Sequence, residues 1–180
     1  MSNNIAAIER SGQTGAPQGT ERAHTLIVLV NDRPGSVDRV VGLLRRRRAN
    51  MQTLVLAHSE RPEVVRVTIV VKDSEVGVDQ LVEQLRKIVD VRQVTNLSSQ
   101  QAVTRELALI KVNNTESRFH EIIERSQLFG AYAADVTPEA IILEVVGSEE
   151  KVTKLVELLR EYGIREIARS GSIAMARGEL

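Results

Sequence analysis

One order of predicted elements is written twice along this chain, and that repetition restricts the fold more than any other feature. Residues 26–30 (LIVLV) form a short apolar run rich in β-branched side chains. Asn31, Asp32, Arg33, Pro34 and Gly35 stop it, which predicts a strand buried on both faces. Val37, Val40, Val41 and Leu44 then stand at i, i+3, i+4 and i+7, one stripe of a helix. The four arginines at 45–48 close that helix, where cations suit its negative end. Residues 51–57 and 64–71 read as strands around a turn at Arg61-Pro62-Glu63, with Val65, Val67 and Ile69 alternating. A second stripe of Val78, Leu81, Val82 and Leu85 predicts another helix, and residues 89–97 a closing strand. The order β-α-β-β-α-β is the split βαβ, or ferredoxin-like, arrangement.

The same order recurs about eighty residues later. Strands are predicted at 107–112, 131–136, 140–146 and 164–168. Phe119, Ile122 and Ile123 mark one helix, and Val152, Leu155, Val156 and Leu159 another, with Ser148 placed to cap it. The fold class is therefore α+β, with two ferredoxin-like modules at 23–98 and 104–180 and a linker at 99–103. Residues 1–22, rich in Gly, Ser, Thr and Pro without sustained periodicity, read as a tail. Modules of about 75 residues bury little surface alone, so each is expected to pack against its neighbour or a second chain.

Composition removes several classes of function. Lys plus Arg and Asp plus Glu both number 24, so the chain lacks the broad positive field that dominates nucleic-acid affinity. Phe119, Phe129, Tyr132 and Tyr162 are the only aromatics besides histidine, too few for a base-stacking platform. No nucleic acid is expected as a partner. Cysteine is absent, which removes disulfides, thiolate metal sites and cysteine nucleophiles and fits a cytoplasmic location. No apolar run approaches the ~18–20 residues of a membrane span, and residues 1–12 lack the pattern of a signal peptide. His24, His58 and His120 lie in three distant elements and form no metal-binding spacing. Neither a nucleophile elbow, a P-loop nor a dinucleotide fingerprint is present. No catalytic residue and no metal ligand is assigned.

Two features remain. From Arg33 to Arg48 there are six arginines and one aspartate, a local charge of +5, read either as a solvated helix end or as a docking surface for an acidic partner. The loop from Asn31 to Val37 is more specific. Pro34 fixes φ, Gly35 lets a ligand approach the backbone, and the following N–H groups point out of a helix start, which suits anions including carboxylates. Asp32 adds a carboxylate suited to an ammonium group, so the loop fits a free α-amino acid. The same residues also suit a tight turn that does no more than begin the helix. The corresponding loop of the second module, residues 113–117, has neither Pro nor Gly, so such a site belongs to the first module alone.

The first module resembles an ACT domain, a ferredoxin-like module that binds amino acids at its first β-α loop. The stretch from about His24 to Gly178 resembles the small, regulatory subunits of acetolactate (acetohydroxyacid) synthase. Residues 31–37 (NDRPGSV), 39–44 (RVVGLL), 50–54 (NMQTL), 105–112 (RELALIKV), 135–139 (DVTPE), 163–171 (GIREIARSG) and 176–178 (ARG) carry the match. This resemblance implies a non-catalytic chain that activates a separate large catalytic subunit and confers feedback inhibition by valine in branched-chain amino-acid biosynthesis. Thiamine diphosphate, Mg²⁺ and FAD would belong to that partner, and none to this chain. It further implies a homodimer through the ACT domains with valine between them. Asp32, Gly35, Ser36 and Val37 would come from one chain, and Asn50 and Met51 from the other. In that picture the backbone N–H groups of Gly35 and Ser36 hold the carboxylate. The family carries a glycine and then an aromatic where Arg48 and Ala49 stand here, and commonly isoleucine at Met51. Two other readings are a free-standing ACT sensor that controls a different enzyme or a transcription factor, and a small acylphosphatase-like enzyme.

Overall fold

The computed structural model describes residues 21–97, 102–115 and 117–178. Most of the expected tail, residues 1–20, and linker residues 99–101 lie outside them. The first module runs β1 (Arg22–Asn31), α1 (Ser36–Arg46), β2 (Asn50–His58), β3 (Val64–Asp73), α2 (Glu75–Arg86) and β4 (Val91–Leu97). Its four strands form one antiparallel sheet in the order β2-β3-β1-β4. The second module repeats the plan with β5 (Ala102–Asn113), α3 (Phe119–Gln127), β6 (Tyr132–Val136), β7 (Ala140–Gly147), α4 (Glu149–Leu159), a short 3₁₀ turn at Arg160–Tyr162, and β8 (Ile164–Arg169). Its order β6-β7-β5-β8 reproduces that of the first sheet strand for strand.

Each sheet buries one face beneath its two helices. In the first module Leu26, Val28 and Val30 of β1 meet Val67 and Ile69 of β3 beneath Leu44 and Leu85. In the second, Ile110, Leu143 and Val145 pack beneath Ile122, Leu155 and Leu159. The buried positions of α1 are Ser36, Val40, Leu43 and Leu44, so the stripe is rotated from the expected one. Leu43 takes the deep position expected for Val41, and Ser36 enters the buried row. Ser74 and Ser148 cap α2 and α4, their hydroxyls accepting from the Gly77 and Lys151 N–H groups.

The structure departs from the expected elements in three places. Val89, assigned to the closing strand, is exposed in a turn in which Val91 N–H donates to the Ile88 carbonyl. Arg22, assigned to the tail, opens β1 opposite Asp73 and pairs with Glu75. Ala102 and Val103, assigned to the linker, open β5. There Ala102 to Arg105 pair with an unexpected strand, β9 (Ile173–Ala176).

That strand pair joins the modules. Ala102, Ala174 and Ala176 pack with Ile27, Leu29 and Leu97 on the outer face of the first sheet, the face away from its helices. Arg66 Nη2 donates to the Ala174 carbonyl at 2.7 Å. Gly171, at φ 79°, lies against β2, where a Cβ would meet Val55 Cγ2 at 2.9 Å and Thr53 Cβ at 3.4 Å. Among the described residues no helix is long and apolar enough to cross a membrane.

Candidate functional site: the elbow between β1 and α1

Residues 33–36 form a type II β-turn that runs directly into α1. Gly35 takes φ 80° and ψ −2°, the left-handed geometry such a turn requires at its third position. Pro34 fills the second position, where its ring pre-sets φ, and Ser36 N–H closes the turn on the Arg33 carbonyl at 3.1 Å. Turn and helix start are thus one object. A side chain would find open space at Gly35, with nothing within 4 Å of a Cβ built there, so no atom of the described residues fills the elbow.

The donors differ from those expected. Ser36 N–H is engaged within the turn, and Arg39 N–H donates to the Gly35 carbonyl at 3.2 Å. No side chain of the described residues caps α1. The N–H groups of Val37 and Asp38 have no partner among the described residues. They join Gly35 N–H as open donors at the helix start. The Ser36 hydroxyl is buried without a hydrogen-bond partner among the described residues. Val37 is half-buried against the core. The Asp32 carboxylate stands half-exposed at the rim, with Oδ2 3.7 Å from Nδ1 of His58 at the end of β2.

Backbone bonds hold the elbow at its base. Asn31 N–H donates to the Asp90 carbonyl at 2.8 Å and Asp32 N–H to the Glu63 carbonyl at 2.9 Å. Arg92 donates to the Asn31 side chain and reaches Glu63 at 3.3 Å. The Glu63 carboxyl is held below the usual carboxylate range by its own backbone N–H first and by Arg92 second.

Asn50 and Met51 stand elsewhere. They pair with Lys72 and Val71 at one end of β3, whereas Asn31 and His58 pair with Val64 and Val65 at the other. Seven or eight strand residues at ~3.4 Å each put about 25 Å between them and the elbow. Met51 is 41% exposed, and the Asn50 side-chain Oδ1 accepts from Gln52 Nε2 at 2.8 Å. One chain therefore brings Asp32, Gly35, Ser36 and Val37 together and leaves Asn50 and Met51 on the open edge strand β2. A cavity of about 730 Å³ lies apart from the elbow, between the modules, with Gln52, Lys72, Arg169 and Gly171 in its lining. Among the described residues no three His, Asp or Glu side chains come together as a metal site.

The second module shows what the fold alone demands. Asn113 N–H donates to the Gly163 carbonyl, Asn114 N–H to the Glu139 carbonyl, and Arg165 to the Asn113 side chain. This is the same base of hydrogen bonds, without the Pro-Gly turn. Nothing in the linear pattern gave Asp90, Arg39, Arg92 and His58 a place at the first elbow, because their partners lie 26 to 61 residues away.

Comparison with known proteins agrees with both modules. Residues 26–93 match the family model described as the AHAS small subunit-like ACT domain, and residues 105–178 the one described as the small subunit of acetolactate synthase. A probable acetolactate synthase small subunit from Archaeoglobus fulgidus is 41% identical over 155 residues, covering 86% of this chain and 97% of that protein. The acetolactate synthase small subunit of Bacillus subtilis is 42% identical over 159 residues, covering 88% of this chain and 91% of that protein. The crystal structure of the small subunit from Thermotoga maritima superposes with a TM-score of 0.81 at 34% identity, over 88% of this chain and 99% of that one. This chain belongs to the acetolactate synthase small-subunit family.

Proposed function

We propose that this chain is a non-catalytic regulatory subunit whose β1–α1 elbow carries a branched-chain amino acid, with valine the first candidate. The observation that supports this reading is the elbow, where a left-handed Gly35 under open space adjoins unpartnered amide donors at a helix start. A carboxylate is an anion that such a start accepts. Asp32 stands beside it for the ammonium group, and Val37 offers apolar surface to the side chain. Burying an isopropyl group contributes roughly 1.5–3 kcal/mol. One methylene more or less changes that by only ~1–3 kcal/mol, so leucine and isoleucine compete.

The elbow is half of the proposed site. β2 is an edge strand with Met51 and Leu56 exposed, a template for pairing with another chain. Antiparallel pairing of two β2 edges about Leu54 would set Asn50 and Met51 of a second copy beside the first copy's His58 and elbow. A homodimer through the first modules would then complete two equivalent sites.

Ligand binding across that interface alters the grip on the catalytic large subunit, as a coupling free energy between two sites. The ligand shifts the balance only by its differential affinity for the two arrangements. The large subunit supplies the thiamine diphosphate, Mg²⁺ and FAD chemistry that condenses two 2-oxo acids. This chain raises that activity and makes it sensitive to valine.

Titration calorimetry with valine should give saturable binding that Gly35→Asp abolishes while circular dichroism stays unchanged. The purified chain should form no acetolactate from pyruvate, yet raise the turnover of its catalytic subunit when added. An absence of saturable heat for valine, leucine and isoleucine would remove the ligand. Unchanged turnover in the mixture would remove the regulatory role.

A further inference from the structure

Asp90 touches both arms of the elbow. Its carbonyl accepts from Asn31, the last residue of β1, and its carboxylate pairs with Arg39 on the first turns of α1. Asp90 is 5% exposed, whereas Arg39 reaches in from a largely exposed position. A buried carboxylate is retained only where a charged or hydrogen-bonding partner offsets its lost hydration. Here that partner is the helix whose N-terminal amides form the elbow.

The second module separates this pair from the needs of the fold. It builds the same sheet, the same helix and the same backbone bonds with Gly163 at the corresponding place, where no carboxylate is available. Its first helix reaches the segment before the last strand through Arg125 and Glu161, and both side chains of that pair are about half exposed. A buried charge on the turn before the last strand therefore accompanies the elbow that has the Pro-Gly turn and the open amides. It is absent from the elbow that lacks them.

We infer that Asp90 and Arg39 are positioning residues, which fix the angle between β1 and α1 so that the Gly35, Val37 and Asp38 amides converge on one ligand carboxylate. This rests on the amino-acid reading of the elbow given above. Two hydrogen-bonding groups on one residue define a direction as well as a distance. Losing one lets α1 rock about the Pro34-Gly35 turn while the base bonds hold.

The test uses the intact chain with valine as the probe. Affinity is measured by calorimetry for wild type, Asp90→Asn, Arg39→Met, Arg39→Lys, the Asp90→Asn/Arg39→Met pair and Arg125→Met. Amide hydrogen exchange at Val37 and Asp38 is followed alongside. Asp90→Asn and Arg39→Met should each weaken valine by about tenfold, and the double variant by no more than either alone, as expected for contacting partners. Arg39→Lys should recover most of the affinity. Val37 and Asp38 should exchange faster in the two weak variants. Arg125→Met, a comparable loss on the other module, should bind as wild type does. Wild-type affinity in both Asp90→Asn and Arg39→Met would overturn the positioning role and leave the amino-acid reading standing. A wild-type chain that binds none of valine, leucine or isoleucine would overturn both.

Discussion

Arg48 is the one non-glycine residue with positive φ, 52°, among the described residues, and it offers a quantitative test of the helix end beside Asn50. Ala49 N–H donates to the Leu44 carbonyl and Arg48 N–H to the Arg45 carbonyl, both at 3.0 Å. These are the two bonds of a Schellman ending, and Arg48 occupies the left-handed position that glycine usually takes. An L-residue there costs roughly 1–2 kcal/mol. Glycine avoids that cost but loses about 0.5–1 kcal/mol more backbone entropy on folding. Arg48→Gly should therefore be about 0.5–1 kcal/mol more stable than Arg48→Ala. For a protein of this size that is about 1–4 °C in melting temperature. The urea midpoint should rise with the slope unchanged. Arg48→Ala is the necessary control, because both substitutions remove the same charge from a helix end where cations are worth ~0.3–1 kcal/mol. The difference between glycine and alanine isolates the backbone. A glycine variant no more stable than the alanine variant would refute the argument that strain resides at this residue.

Two further outcomes follow from the packing. Gly171→Ala adds a methyl 2.9 Å from Val55 Cγ2 at a residue with φ 79°, and should destabilise by about 2 kcal/mol in urea unfolding. Wild-type stability would mean that the turn before β9 does not press on β2. Burial pushes the Tyr162 phenol up to about 12, from 10 in the unfolded chain. Its contribution is thus complete below pH 10 and declines as pH rises from 10 towards 12. Tyr162→Phe should remain folded, since a phenyl ring fills the same buried site, and should lose less stability than wild type across that interval. Parallel pH curves for the two proteins would count against a buried neutral phenol.

What the amino-acid order determined by itself is local. Periodicity located both βαββαβ modules, because a half-buried strand and an amphipathic helix impose repeats of two and 3.6 on neighbouring residues. Pro34 and Gly35 announced the elbow, because proline pre-sets the φ of a turn's second position and glycine takes the positive φ of the third without strain. Tertiary structure decided whatever depends on distant partners. β9 is four residues long, half of them alanine, and becomes a strand only by pairing with Ala102–Arg105 some seventy residues away and covering the first sheet. The Asp90–Arg39 pair spans 51 residues and leaves no periodic trace. Strand register sent Asn50 and Met51 to the end of the sheet opposite the elbow, a matter of cross-strand hydrogen bonds that a linear pattern does not contain.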